Sequence, residues 1–233
     1  MNYDLALYPA SGPGLGHLMR CMALAEWAVE LKAKVIVVLG DNAPVLPWPC
    51  AAKMGVGADA RVKVADGIRM NDGQASGFWQ IVDRECSGDT LGWIYPHFGA
   101  TPIPSKPTFV GPQWMPLRKR FSGQPFNEHT QFKQAYHYRV EKPRDCEVDI
   151  CGSDVAATLA TARYLRCPPS VIAYEALALG TPVFLHDDVP GYGHLSSAMI
   201  AAGVVRSGEM DFPHPRRQHI DGFGAKRLLE ALL

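Results

Sequence analysis

Apolar residues in the first third of the chain fall into strand-like runs separated by a helical stripe. Tyr3 to Tyr8 reads as a short strand. Leu18, Met22, Ala25 and Val29 recur at helical spacing, which predicts a helix over 16–32. Val35-Ile36-Val37-Val38, inside a predicted strand over 34–39, has the unbroken apolar character of a strand buried on both faces. Strand, helix and strand make a βαβ unit. Prolines 44, 47 and 49 predict a loop over 41–49, and the polar, glycine-containing stretch 66–77 predicts another. A helix over 77–84 is expected next. The run 91–97 then reads as a strand emptying into a loop, Pro102, Pro104 and Pro107 hold the connection extended, and Thr108-Phe109-Val110 closes this half.

The segment Gly111-Pro112 to Phe121 carries two prolines and the charged run Arg118-Lys119-Arg120, as a linker between domains does. Residues 122–144 are polar, and a helix over 128–138 is expected among them. Beyond lie a strand over 147–151, a helix through Ala160 capped by Ser153 or Asp154, and a strand over 162–167. Pro168-Pro169-Ser170 interrupts the chain before a helix over 171–179 that Gly180 should stop. A strand over 181–185 and helices over 194–203 and 226–233 complete the pattern. The expected organisation is an α/β domain over 1–111, a linker and polar segment over 112–146, and a second α/β half over 147–233.

Composition narrows the classes of partner. The 233 residues hold 23 Lys and Arg against 23 Asp and Glu, so no global basic field draws the chain to nucleic acid or an acidic membrane. Six scattered cysteines without a CxxC pair or a secretory signal fit reduced thiols in a cytoplasmic protein. No apolar run approaches the roughly 20 residues that span a bilayer.

The chemistry concentrates at Ser11-Gly12-Pro13-Gly14-Leu15-Gly16-His17, where the first strand should turn into the first helix. Glycines there let backbone N–H groups approach a bound molecule, and a helix start favours negative charge. The third glycine position of a dinucleotide fingerprint is Met19, which disfavours NAD. His17 stands at the mouth of this corner, as a proton acceptor, as a helix cap or as a side chain that fills the cleft between domains. Asp187-Asp188 after the 181–185 strand has the form of a cation site. His214, Arg216, Arg217 and His219 make a local basic patch that, with Arg118, Lys119 and Arg120, would suit phosphates.

The segment Gly14-x-Gly16-His17-x-x-Arg20-Cys21-x-x-Leu24-Ala25 resembles the opening motif of the UDP-sugar hydrolase of the pseudaminic acid pathway, a relative of the MurG-type glycosyltransferases. Val110-Gly111-Pro112, Leu117-Arg118 and Phe121 are similar to the interdomain segment of those hydrolases. Pro169-Ser170 with Glu175-Ala176-Leu177-Ala178-Leu179-Gly180-Thr181-Pro182 is similar to the donor-binding helix of the transferases. The resemblance implies a GT-B fold, in which two Rossmann-like α/β domains face each other, here with a trimmed second domain. Pro169, Ser170 and Ile172 replace the glycine-alanine turn and threonine of the MurG type. Asp187, Asp188, Gly191 and His194 stand where an acidic-Asn-Gln signature is expected.

By that resemblance His17 is the general base, and Gly14, Gly16, Arg20, Arg166, Ser170, Glu175, Asp187 and His194 bind substrate. Ser170 and Arg166 would meet the diphosphate and Glu175 the ribose, against the alternatives of an ordinary helix cap, a surface charge and an exposed carboxylate. No metal and no cofactor are implied. The first expectation is a metal-independent glycosyltransferase that moves a sugar from a nucleoside diphosphate donor, a UDP-sugar first, to a hydroxyl acceptor. The small size and the basic patch near the C-terminus make hydroxymethylated phage DNA one expected acceptor. The alternatives are a nucleotide-sugar hydrolase of the pseudaminic acid type and a non-catalytic sugar-nucleotide-binding relative.

Overall fold

The structure, a computed structural model, describes residues 2–10, 15–55, 57–68, 76–83, 89–100, 106–123, 133–136, 148–150, 154–185, 193–203, 205–206 and 220–233. They divide into two compact units, 1–119 with 223–233 and 120–222.

The first unit is built on seven parallel strands: β1 (Tyr3–Pro9), β2 (Val35–Leu39), β3 (Ala51–Met54), β4 (Ala60–Asp66), β5 (Trp79–Ile81), β6 (Gly92–Tyr95) and β7 (Thr108–Val110). They lie in the order β3-β2-β1-β4-β5-β6-β7. Successive strands leave β1 on opposite sides, so the strand order reverses between β1 and β4. That is the switch point at which open α/β sheets bind ligands. Side chains of β1 alternate between two buried layers: Leu5 and Leu7 pack with Leu24, Val37 and Val64, while Ala6 and Tyr8 pack with Ile36, Val38 and Ala65.

Helix α1 (Gly16–Glu30) buries Leu18, Cys21, Leu24 and Ala28 against this sheet. The 111–121 segment is tied to α1 by ion pairs from Arg118 to Glu26, at 2.6 Å, and from Lys119 to Glu30. These two cations of the charged run are therefore occupied by carboxylates, which weakens the case for a phosphate-attracting cluster.

The second unit has a five-stranded parallel sheet in the order β12-β11-β10-β8-β9, from β8 (Lys133–Tyr136), β9 (Val148–Asp149), β10 (Ala162–Cys167), β11 (Val183–Leu185) and β12 (Val205–Arg206). Its helices are α2 (Val155–Thr161), α3 (Val171–Leu179) and α4 (Gly193–Ala201). Asp154 caps α2, accepting from the N–H groups of Ala156 and Ala157. Gly180 ends α3 in the left-handed region at φ 79°, where a side chain would be strained.

The differences from the sequence expectations have physical causes. The expected helix over 77–84 is strand β5, because Phe78-Trp79-Gln80-Ile81 is rich in residues that suit a pleated sheet and is bonded between β4 and β6. The expected helix over 128–138 contains strand β8, which pairs with β10. Strands β3 and β4 went unpredicted, although Val62 and Val64 alternate as a strand should. The last helix, α5 (Gly224–Leu232), was expected with the second half. It belongs to the first unit, where Ala225, Leu228 and Leu229 join the α1 core and Phe223 packs on Trp27 with ring centroids 5.7 Å apart. The division between units falls after Lys119, at the far end of the 111–121 segment. Among the described residues no helix is long and apolar enough to cross a membrane.

Candidate active site

Asp66 is the last residue of β4 and pairs in register with Pro9 at the end of β1, so its carboxylate emerges at the switch point. Two residues into α1, His17 reaches it: Nδ1 lies 2.8 Å from Asp66 Oδ1. One turn further along the same helix, Arg20 donates from Nε to Asp66 Oδ2 at 2.8 Å and from Nη2 to Oδ1 at 2.6 Å. Both oxygens of Asp66 thus accept from N–H donors, the arrangement of a bound carboxylate.

His17 Nδ1 also lies 2.9 Å from Arg20 Nη2, so this nitrogen faces an acceptor and a donor together: protonated it donates to Asp66, and unprotonated it accepts from Arg20. In the first form Nε2 is the ring's proton-accepting atom. The His17 side chain is 27% exposed while that of Asp66 is fully buried, so the pair has a wet end and a dry end. Among the described residues no side-chain hydrogen bond caps α1 at Leu15, and the His17 ring is turned to Asp66. Gly67 packs directly beneath the imidazole: a Cβ there would collide with the His17 ring, and its φ of +71° strains any other residue.

The network continues away from His17. Arg20 Nη1 donates to Asp83 Oδ1 at 2.6 Å, and His97 Nε2 lies 2.8 Å from the same oxygen. Asp83 follows β5 and His97 follows β6, so the carboxyl ends of three neighbouring strands feed one cluster. Burial favours the neutral form of each charged group, but the opposite charges prevail at two of them. The Arg20 guanidinium is held above its ordinary range by Asp66 and Asp83, and the Asp83 carboxyl is held well below the usual carboxylate range by Arg20 and His97. At His97 burial wins over Asp83 and lowers the ring below its ordinary 6.5. Burial, with Asp66 nearby, raises the Cys21 thiol and keeps it protonated.

Of the residues expected to bind substrate, Gly14 and Asp187 lie outside the described residues, as do Asp188, Gly191 and the basic patch of His214 to His219. Gly16 is the first residue of α1. Arg20 is buried and turned to Asp66 and Asp83, the role of a clamp on carboxylates. The others belong to the second unit. Ser170 stands before α3 without capping it, and its hydroxyl donates to the Pro168 carbonyl at 3.1 Å. The Arg166 guanidinium lies 5.6 Å from the centre of the Tyr164 ring, and its Nε is buried without a hydrogen-bond partner. Glu175 is buried within α3, and His194 is exposed at the start of α4.

Asp66, Asp83 and His97 were missed from the sequence. Each is a polar residue at or just past the end of an apolar strand, and in a parallel sheet that is the position from which loops present functional groups.

No protein-family model matches this chain, and no curated protein matches its sequence. Among solved structures, Phytolacca americana UGT2 complexed with UDP-2fluoro-glucose and pterostilbene matches with a TM-score of 0.52 at 11% identity, over 99% of this chain and 90% of that one. The glycosyltransferase SnogD from Streptomyces nogalater matches with a TM-score of 0.48 at 13% identity, over 100% of this chain and 93% of that one. The parallel seven-stranded sheet and the first of these likenesses define the architecture as the α/β fold of GT-B glycosyltransferases. At this identity the likeness is one of fold, and it does not single out the hydrolase or the MurG type.

Proposed function

We propose that the protein is a glycosyltransferase that moves a sugar from a nucleoside diphosphate donor, a UDP-sugar in the first instance, to a hydroxyl acceptor. The observation that supports this reading is the His17–Asp66 pair at the switch point, with Nδ1 2.8 Å from the carboxylate and Nε2 taken as the proton acceptor.

In this mechanism His17 Nε2 takes the proton of the acceptor hydroxyl as its oxygen attacks the anomeric carbon. The bond from that carbon to the diphosphate oxygen breaks, and the nucleoside diphosphate leaves with the bonding electrons. Asp66 holds the ring in the required tautomer and stabilises the imidazolium that forms, a contribution of roughly 10²- to 10⁴-fold for a positioned base. Departure of the diphosphate needs stabilisation of its own. Ser170 and Arg166 are assigned to the diphosphate and Glu175 to the ribose, and no metal is required in this scheme.

The test is an assay of nucleoside diphosphate release from a panel of sugar nucleotides, run with and without hydroxyl acceptors that include hydroxymethylated duplex DNA. Release that depends on an acceptor, and that falls at least 10²-fold in His17→Ala, is the expected result. Free sugar formed at the same rate without acceptor would make the protein a hydrolase. Binding without turnover would make it a non-catalytic relative.

A further inference from the structure

Three polar atoms meet at one corner of the His17 ring. Nδ1 lies 2.8 Å from Asp66 Oδ1 and 2.9 Å from Arg20 Nη2, and Nη2 donates to the same Oδ1 at 2.6 Å. The imidazole nitrogen therefore has an acceptor on one side and a donor on the other. A base and its orienting carboxylate need only the first.

The guanidinium is not free to turn from the ring. Its Nε is bonded to Asp66 Oδ2 at 2.8 Å and its Nη1 to Asp83 Oδ1 at 2.6 Å, so the planar group is pinned at both ends and Nη2 is carried to Nδ1. The Arg20 side chain is 3% exposed, which leaves water little access to Nη2. That nitrogen has two hydrogens, of which one serves Asp66 Oδ1 and the other is within reach of Nδ1.

Each neutral form of the ring satisfies one contact at the expense of the other. With its hydrogen on Nδ1, the ring donates to Asp66 and turns an N–H towards the N–H of Arg20. With the hydrogen on Nε2, Nδ1 accepts from Arg20 and turns its lone pair towards the Asp66 oxygen. Both bonds join the ring to a charged partner and so belong to one class of strength. The ring need not move between the two forms, because only a proton changes place.

We propose that Arg20 is a positioning residue for His17: acting through Nη2, it keeps the Nε2–H form populated beside the Nδ1–H form, so that the histidine has a donor state as well as a base state. The inference deepens the reading of His17 as the base and rests on it for its consequence in turnover. In the base state Nε2 takes the proton of a hydroxyl. In the donor state the neutral ring offers Nε2–H to an oxygen that has no hydrogen to give, such as a phosphate oxygen. Arg20 thereby sets the fraction of ligand-free molecules that are ready to start transfer.

The test is nitrogen NMR of the wild-type protein with isotope-labelled histidine, without substrate and in mild alkali, where an imidazole is neutral. A protonated and an unprotonated ring nitrogen resonate far apart, so the averaged shifts of Nδ1 and Nε2 give the two populations. His17 is assigned by the loss of its signals in His17→Gln. Each form should be found on at least roughly one ring in ten, and a ring wholly in either form overturns the proposal. Arg20→Met then isolates the cause. With the donor gone, the Nδ1 shift should move to the protonated limit. A merely structural role for Arg20 would lower stability and leave the tautomers as they were, and that result in a folded Arg20→Met protein overturns the proposal.

Should Arg20→Met fail to fold, wild-type protein labelled in both arginine and histidine provides the second arm. A scalar coupling between Arg20 Nη2 and His17 Nδ1 across the hydrogen bond arises only where Nδ1 accepts, and its absence overturns the proposal. No sugar nucleotide enters these measurements, so their outcome is separate from that of the transferase reading. Mixed tautomers in a protein that transfers nothing would leave the role of Arg20 standing and remove the proposed reaction.

Discussion

The start of α1 and the start of α3 each follow a parallel strand, yet their side chains are held in opposite ways. At the first, His17 and Arg20 are locked to Asp66, and Arg20 is locked again to Asp83. At the second, Ser170 turns its hydroxyl back to Pro168, no side chain caps the helix, and Arg166 rests on Tyr164 with a buried Nε left unbonded. Acid–base geometry is thus built into the first unit by its own side chains. Among the described residues, Ser170 and Arg166 in the second unit form no comparable carboxylate-bound cluster. Substitutions in the first unit should therefore disturb folding and chemistry together, while those around α3 should disturb donor binding alone.

The largest effect is expected at Asp66. Asp66→Ala takes two hydrogen bonds from a buried guanidinium and leaves it Asp83 alone, and should cost about 3–5 kcal/mol of stability, read from the urea midpoint, together with most of the turnover. A loss under about 1 kcal/mol would mean that the network does not hold the first unit together. Gly67→Ala comes next. A methyl group beneath the imidazole and a φ of +71° should cost about 1–3 kcal/mol. Displacing the ring by about 1 Å should lower turnover roughly 10²-fold.

A smaller and pH-dependent effect should come from His97 and Asp83. Both have folded-state proton affinities below their ordinary values, so the unfolded chain takes up protons first and stability falls on acidification. The His97 contribution is complete above its ordinary 6.5 and is lost as pH falls below it; that of Asp83 is complete above 3.8 and is lost further into acid. Melting temperatures of the wild type and His97→Gln should therefore converge as pH falls from 7 to 5. A constant difference would exclude the buried neutral ring.

The smallest stability effect belongs to Ser170→Ala, which removes a hydroxyl bonded to Pro168 and should change stability by about 1 kcal/mol or less. If the hydroxyl meets the diphosphate, donor affinity should weaken roughly tenfold in the same protein. A stability loss as large as that of Asp66→Ala would erase the contrast between the two helix starts.

What the sequence made legible follows the range of the interactions involved. Strand β1, helix α1 and strand β2 were readable because apolar periodicity and a glycine-rich turn are local signals, and so was the stop of α3 at Gly180. Strands β5 and β8 were read as helices because short segments owe their conformation to neighbours that only the sheet supplies. His17 was legible through its motif. Its partners were not: Asp66 lies 49 residues away, and Asp83 lies 63 residues from Arg20. Only the order of parallel strands brings them together, and no spacing in the sequence encodes that order.

The place of α5 bears on how the chain acquires its structure during synthesis. Residues 120–222 leave the ribosome before Ala225, Leu228 and Leu229, which complete the apolar layer over α1. The first unit, begun earliest, is thus finished last, and Trp27 waits for Phe223 through the whole emergence of the second unit. Completion of the apolar layer over α1 therefore follows synthesis of the second unit, and a chain cut before α5 would present the uncovered face of α1 to whatever chaperone is at hand.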